Sequence, residues 1–312
     1  MLYRSPLVEA TYVPAVPEAG QKDAGERIDA FRAKTREGFL RAFANLEDLT
    51  GINRGRVEQF ALAYNLPLND IVVIDRRHRQ SVIDHLRKAG VGGNSEADGL
   101  ATTFLGVGAV FRGNKEDPMA TEGKIVHELT HLASPRLTVT YSKAEGSDRL
   151  HIDTVDSGMV RTTATGMRTG AAFDEIPPTA LQARYKALAH GNTDWGDTFM
   201  TSSAPDGNGG EYTMLFSRHY SENLSAFYLP KGAEVELRDS ALPAVGLETL
   251  AGARDPLLVP AALGALSSDL YYTELAERMN SIRPGLYDTV NACQDTSEGY
   301  MQAMHLALDA AR

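Results

Sequence analysis

Hydrophobic residues in the first part of the chain change their spacing in a way that predicts alternating helices and strands. Over residues 23–49 they recur every three or four positions, which is typical of a helix with one buried face. A second helix is predicted over residues 54–64, with Asn53 as its N-cap. The run DIVVID at residues 70–75 is short, apolar and β-branched, and it predicts a buried strand.

The middle of the chain continues this alternation. Residues 79–88 predict a helix, and residues 101–112 (ATTFLGVGAVFR) predict one strand whose glycines indicate a bulge or a close approach by another backbone. Residues 136–142 and 150–163 predict a β-hairpin. Pro177 and Pro178 then favour a helix that begins there and ends near residue 188.

The last third favours helices. Residues 191–210 are polar and glycine-rich, which predicts a loop, and Phe216, Tyr220, Leu224 and Tyr228 recur at four-residue steps. Further helices are expected near residues 244–252, 259–266, 269–279 and 296–308. The pattern as a whole predicts an α+β protein with an extended arm (1–20), an N-terminal lobe (21–135) and a C-terminal lobe (136–312).

Composition narrows the range of partners and compartments. The net charge is −10 and Lys and Arg form no cluster, so we expect no nucleic-acid partner. The single cysteine, Cys293, permits no internal disulfide and is expected to be buried. The N-terminus lacks the pattern of a secretory signal, and no apolar stretch has the length of a membrane span. We therefore expect a cytoplasmic protein, with export by a leaderless route left open.

The segment EGKIVHELTHLAS at residues 122–134 carries the clearest chemical pattern. His127 and His131 are four residues apart, so on a helix both imidazoles lie on one face and can bind one zinc ion. Glu128 lies beside them, where it can take a proton from a metal-bound water. The composition predicts about 0.01 chance matches to this pattern. The helix is expected to open at Thr121 or Glu122 and to close at residues 134–135.

A catalytic zinc ion needs a third protein ligand. A histidine six residues after His131 is excluded, because Ser134 and Leu137 occupy the Gly and His positions of that pattern. The best candidate is Glu175, in the segment GAAFDE, with Asp174 as its immediate rival. Asp194 and Asp197, in a faint echo of an aspartate-ligand pattern, are further alternatives.

HELTH followed by G-A-x-x-D-E resembles the gluzincin branch of zinc metallopeptidases, the thermolysin-like group in the broad sense. The resemblance implies a zincin-like fold, with a small twisted mixed sheet and the HExxH active-site helix in the N-terminal lobe and a mostly helical C-terminal lobe. It implies that His127, His131 and Glu175 bind Zn2+ and that Glu128 is the general base. The chain departs from the family where two prolines follow Glu175, which predicts that this residue lies just before its helix.

The resemblance also implies groups around the metal. His219 or Tyr220 is the candidate that stabilises the oxyanion. Asp153 or Asp156 is a candidate to orient a ligand histidine. The strand over residues 102–112 is expected at the rim of the site, where it would pair with a peptide or protein substrate in extended conformation. The remaining histidines (His78, His85, His151, His190 and His305) show no ligand spacing and are expected to be structural.

Three hypotheses of function follow. The first is a zinc-dependent metallopeptidase, a hydrolase in which Glu128 activates water. The second is a catalytically silent zincin-fold protein that binds or regulates a partner, although a silent protein has no chemical need for Glu128. The third is a chance HExxH match in a helical interaction protein.

Overall fold

The computed structural model describes residues 9–15, 23–68, 70–89, 99–133, 137–143, 148–157, 160–163, 168–189, 200–205, 211–216, 227–229, 242–264 and 269–312. The chain divides into two compact units, Met1–Arg168 and Thr169–Arg312. Both helices and small mixed sheets occur, so the α+β class predicted from the sequence is confirmed. No helix among the described residues is both long and apolar enough to cross a membrane.

The first unit alternates strands and helices along the chain. Its elements are β1 (Thr11–Pro14), α1 (Ala24–Phe43), α2 (Arg54–Ala63), β2 (Asp70–Asp75), α3 (Arg79–Lys88), β3 (Gly99–Thr102), β4 (Val107–Arg112), α4 (Pro118–His131), β5 (Leu137–Lys143), β6 (Leu150–Ser157) and β7 (Val160–Thr163); β8 (Arg168–Thr169) follows at the boundary. Asn53 caps α2 as predicted, because its side chain accepts a hydrogen bond from the backbone N–H of Arg56.

A three-stranded sheet in the order β2–β4–β3 lies at the centre of this unit. β2 runs parallel to β4, and β3 runs antiparallel to it. The prediction of one strand over residues 101–112 is therefore wrong. The chain reverses between β3 and β4 in a turn where Gly106 has a φ of 62°, a conformation that glycine adopts without strain. The expected close backbone approach is confirmed at Gly108, where an added β-carbon would lie 3.0 Å from the Leu100 carbonyl oxygen.

A second sheet has the order β1–β5–β6–β7–β8. It contains the predicted hairpin, β5 with β6, which carries an irregularity between Thr140 and Tyr141. The strand predicted over residues 150–163 divides into the antiparallel pair β6 and β7. Part of the predicted N-terminal arm forms β1, which pairs in parallel with β5.

The core of the first unit joins α1, α3 and the two sheets. Phe39, Ile74, Leu105, Phe111 and Val139 are fully buried in one hydrophobic cluster. α4 packs against all three strands of the three-stranded sheet and against α2. The helix that carries HELTH therefore lies between a sheet and another helix, which fixes its orientation by packing on two sides.

The second unit is mostly helical and contains one small sheet. Its elements are α5 (Ala171–Asp174), α6 (Ile176–Ala189), β9 (Met200–Pro205), β10 (Glu211–Phe216), β11 (Phe227–Leu229), α7 (Leu242–Ala253), α8 (Leu258–Gly264), α9 (Asp269–Ile282), α10 (Leu286–Asn291) and α11 (Ser297–Ala311). The predicted helix after Pro177 and the four C-terminal helices are confirmed, and α10 is additional. α7 and α11 cross closely, because a β-carbon on Gly246 would lie 2.9 Å from Met304 Cα.

The helical prediction for residues 211–229 is wrong for the part of this range that the structure describes. Residues 211–216 and 227–229 are antiparallel strands in the sheet β11–β10–β9, so Phe216 and Tyr228 belong to strands. The sequence EYTMLF is rich in aromatic and β-branched residues, which favour strands. Pairing with neighbouring strands therefore outweighs the helical preference that the four-residue spacing indicates.

Candidate metal centre

α4 begins earlier than the sequence suggests. Asp117 is the N-cap, since its side chain accepts a hydrogen bond from the backbone N–H of Met119, and Pro118 occupies the first turn. The predicted start at Thr121 or Glu122 was therefore wrong by one turn. The helix ends at His131, so both motif histidines lie in its last two turns.

α4 is buried on all sides over the ten residues from Thr121 to Thr130. Its buried carboxylate Glu122 is fully enclosed and forms an ion pair with Arg56 on α2. Arg56 Nε donates to Glu122 Oε2 at 3.0 Å, and the backbone N–H of Asn53 donates to Oε1 at 2.7 Å. These contacts fasten the first half of the helix to the start of α2.

Lys124 is the second charged residue inside this helix. Its ammonium lies 2.6 Å from Glu116 Oε1, and 8% of its side chain is exposed. Glu116 also accepts hydrogen bonds from the backbone N–H of Gly113 and from the hydroxyl of Thr121. The charge of Lys124 is thus matched locally by the turn that leads into α4.

His127 and His131 face each other at the end of the helix. Their Nε2 atoms are 3.1 Å apart and their ring planes are inclined at 72°. Two nitrogen ligands of one tetrahedral zinc ion, each about 2.05 Å from the metal, would be about 3.3 Å apart. The observed separation is close to that value, so the two nitrogens already converge as ligands of one ion would.

Glu128 is buried next to this pair, with 4% of the residue exposed. Its carboxylate lies against Gly99, the first residue of β3. A β-carbon added to Gly99 would lie 2.8 Å from Glu128 Cδ and 3.1 Å from Cγ, and closer still to Oε1. The absence of a side chain at Gly99 therefore makes the space that the Glu128 carboxylate occupies.

Glu175 lies at the junction of α5 and α6, directly before α6 as predicted. Its backbone N–H donates to the Ala171 carbonyl and its own carbonyl accepts from Thr179 N, so it belongs to both helical segments. Pro177 and Pro178 fit the first turn of α6, where their missing N–H groups have no intrahelical acceptor to lose. The two prolines therefore leave the helical backbone at Glu175 undisturbed.

Packing within the second unit holds the segment that carries Glu175. Phe173 stacks on Tyr287 of α10, with ring centroids 4.9 Å apart and planes inclined by 12°. The backbone N–H of Gly170 donates to the Asn291 carbonyl at 2.9 Å, and Gly170 has a φ of 80°. These contacts give α5 a fixed support although it is only four residues long.

The structure brings together the ligand atoms of His127, His131 and Glu175, which all lie within 4.8 Å of one another. This group of two imidazoles and one carboxylate could hold a metal ion. Among the described residues, it is the group of three ionisable side chains whose ligand atoms are close enough to bind one metal ion. Asp174, the alternative third ligand, is not part of this group. Asp194 and Asp197 lie outside the described residues.

Asp153 and Asp156, which the structure describes, are not part of this group. His219 and Tyr220 lie outside the described residues, so their roles stay predictions. Asp153 accepts a hydrogen bond from Ser142, and Asp156 pairs with Arg161, in both cases within the five-stranded sheet. Sequence reasoning missed Gly99, which lies two residues before the predicted strand over residues 101–112 and carries no signal of its own.

Comparison with known proteins assigns the chain to no family. No protein-family model, no curated protein and no solved structure matches the chain.

Proposed function

We propose that this protein is a zinc-dependent metallopeptidase of zincin-like fold that hydrolyses peptide bonds. The observation that carries the proposal is the convergence of His127, His131 and Glu175 around one point, with Glu128 adjacent on α4. The resemblance of HELTH to gluzincins supports the same reading. The proposed substrate is a peptide or protein segment in extended conformation.

The donor set fits zinc better than the harder cations. Two imidazoles and one carboxylate match a catalytic zinc site, which keeps three protein ligands and one open position. Magnesium and calcium prefer sites made of oxygen ligands, and here two of the three donors are nitrogens. When bound, zinc would supply a Lewis acid that polarises a carbonyl group and lowers the pKa of water.

The remaining steps belong to side chains of the chain itself. Glu128 takes the proton of the attacking water as the water adds to the scissile carbonyl carbon. Glu128 then passes this proton to the amine nitrogen as the carbon–nitrogen bond breaks. Because the carboxylate is buried, it is shielded from bulk water.

A hydrogen bond between two neutral imidazoles is the competing explanation of the histidine geometry. One Nε2 would donate and the other accept, and 3.1 Å is an ordinary length for such a bond. This explanation assigns no role to Glu175, whereas a metal site requires it. Metal analysis therefore separates the two.

The first experiment measures zinc in purified wild-type protein and in Glu175→Ala, with Asp174→Asn as the matched control. We expect about one zinc ion per chain in the wild type and in Asp174→Asn, and weaker binding in Glu175→Ala. Wild-type protein that binds no zinc after incubation with the metal would refute the proposal.

The second experiment tests catalysis with a library of peptides. We expect cleavage by the zinc-loaded wild type and a loss of about 100-fold or more in kcat for Glu128→Gln, which keeps the shape of the side chain but not its basicity. Zinc content should be equal in the two proteins. Equal cleavage by both would remove Glu128 from the mechanism, and zinc binding without cleavage would favour the silent zincin-fold alternative.

A further inference from the structure

A glycine at the first position of β3 is unfavourable unless the structure needs it. Glycine is depleted in strands because it has no side chain to pack and loses more backbone freedom on folding than other residues. The backbone at Gly99 does not adopt the left-handed conformation that would require glycine, unlike that at Gly106. The reason for a glycine at this position is therefore steric and not conformational.

That space is occupied by one side chain. The three nearest heavy atoms to a β-carbon on Gly99 all belong to Glu128, namely Oε1, Cδ and Cγ. Gly108 on the neighbouring strand differs, because its nearest atom is the backbone oxygen of Leu100. A side chain at position 99 would therefore press on the Glu128 carboxylate, whereas one at position 108 would press on the sheet itself.

The displaced carboxylate would have little room to move. Glu128 is 4% exposed, and α4 packs against β3 and β4, so its neighbours are close-packed protein atoms. Gly99 is held in register opposite Val110 on β4, which prevents β3 from yielding freely. An added methyl group at position 99 must therefore push the Glu128 side chain against close-packed neighbours, which lowers stability as well as displacing the carboxylate.

We propose that Gly99 is a positioning residue for Glu128: the strand backbone without a side chain sets where the carboxylate lies, and any larger residue moves it. The proposal rests on the function proposed above, because a displaced Glu128 matters only if it transfers a proton. Gly99 touches neither substrate nor metal in this scheme. Its effect on the reaction acts through Glu128 alone.

The contact itself is tested by thermal unfolding of metal-free protein, independently of activity. Gly99→Ala should lower Tm by several degrees when Glu128 is present and by much less when it is combined with Glu128→Ala. The control is Gly38→Ala on α1, where an added β-carbon meets no heavy atom within 4 Å. Its effect on Tm should be the same in both backgrounds. Equal shifts for Gly99→Ala in the two backgrounds would overturn the proposal.

The positioning role is tested by steady-state kinetics on the zinc-loaded protein. Gly99→Ala should lower kcat by about 10- to 100-fold with little change in KM or in zinc content. Combined with Glu128→Gln it should cause no further loss, because its effect passes through the carboxylate. Additive losses would overturn the proposal. A wild type without peptidase activity would overturn the proposed function and the positioning role with it, while the unfolding data would still report the steric contact.

Discussion

The ion pair between Arg56 and Glu122 offers a direct test of what holds the metal-binding helix in place. Glu122 is fully enclosed on α4, and Arg56 reaches it from the first turn of α2. Arg56→Met removes the charge but keeps much of the apolar length of the side chain. The variant leaves a buried carboxylate whose remaining partners include the Asn53 N–H.

The expected loss follows from the burial of the two partners. Removing one partner of a fully buried ion pair costs about 3–5 kcal/mol. The Arg56 side chain is 35% exposed, so water already screens part of the interaction and reaches the site in the variant. We therefore expect about 2–3 kcal/mol for Arg56→Met. For a unit of this size, that corresponds to a decrease of about 5–10 °C in Tm.

Urea unfolding followed by circular dichroism measures this free energy. Arg54→Met is the matched control, because Arg54 is an exposed residue in the same helical turn, and we expect a change within about 0.5 kcal/mol. Combining Arg56→Met with Glu122→Gln should cost less than the sum of the two single changes, since the uncompensated charge is then gone. A loss for Arg56→Met no larger than that for Arg54→Met would refute the reasoning.

Three shorter predictions concern other parts of the chain. The Leu257 N–H, and then Arg278, lower the pKa of Asp255, so its contribution to stability is present above the ordinary carboxyl pKa and is lost as pH falls through the lowered one. Asp255→Ala should therefore destabilise the protein more at pH 7 than in acid, measured by urea unfolding at both pH values. Burial raises the pKa of the Cys293 thiol, so native protein should react with Ellman's reagent at pH 8 far more slowly than urea-unfolded protein. Gly106→Ala should destabilise by about 1–2 kcal/mol in a thermal melt, because its φ is 62°.

Elements with local signals could be predicted from the sequence, and elements decided by long-range pairing could not. The N-cap Asn53 and the prolines that open α6 act within one turn, so the sequence reveals them. The turn between β3 and β4 was hidden because Thr102, Thr103 and Phe104 are buried like the strands around them. The pattern of buried residues therefore continues through the turn without interruption. The two strands can be told apart only from the antiparallel pairing of β3 with β4 in the structure.

The candidate site shows the same division. Spacing alone predicts that His127 and His131 share a face, because four residues make about one helical turn. Glu175 was reached through a resemblance, since 44 residues separate it from His131 and no local pattern links them. The contact between Gly99 and Glu128 depends on how α4 packs on the sheet. No periodicity in the sequence encodes that packing.

The burial of α4 argues against reading HELTH as a chance match on an ordinary helix. A helix packed on all sides is normally apolar, since each buried ionisable group must recover its lost hydration from a partner. Glu122 and Lys124, in the first half, do so through Arg56 and Glu116. In the second half, His127 and Glu128 are also buried, and the Nε2 atoms of His127 and His131 lie 3.1 Å apart. We propose that the convergence of these imidazoles with Glu175 on one metal ion offsets the cost of placing such groups in this helix.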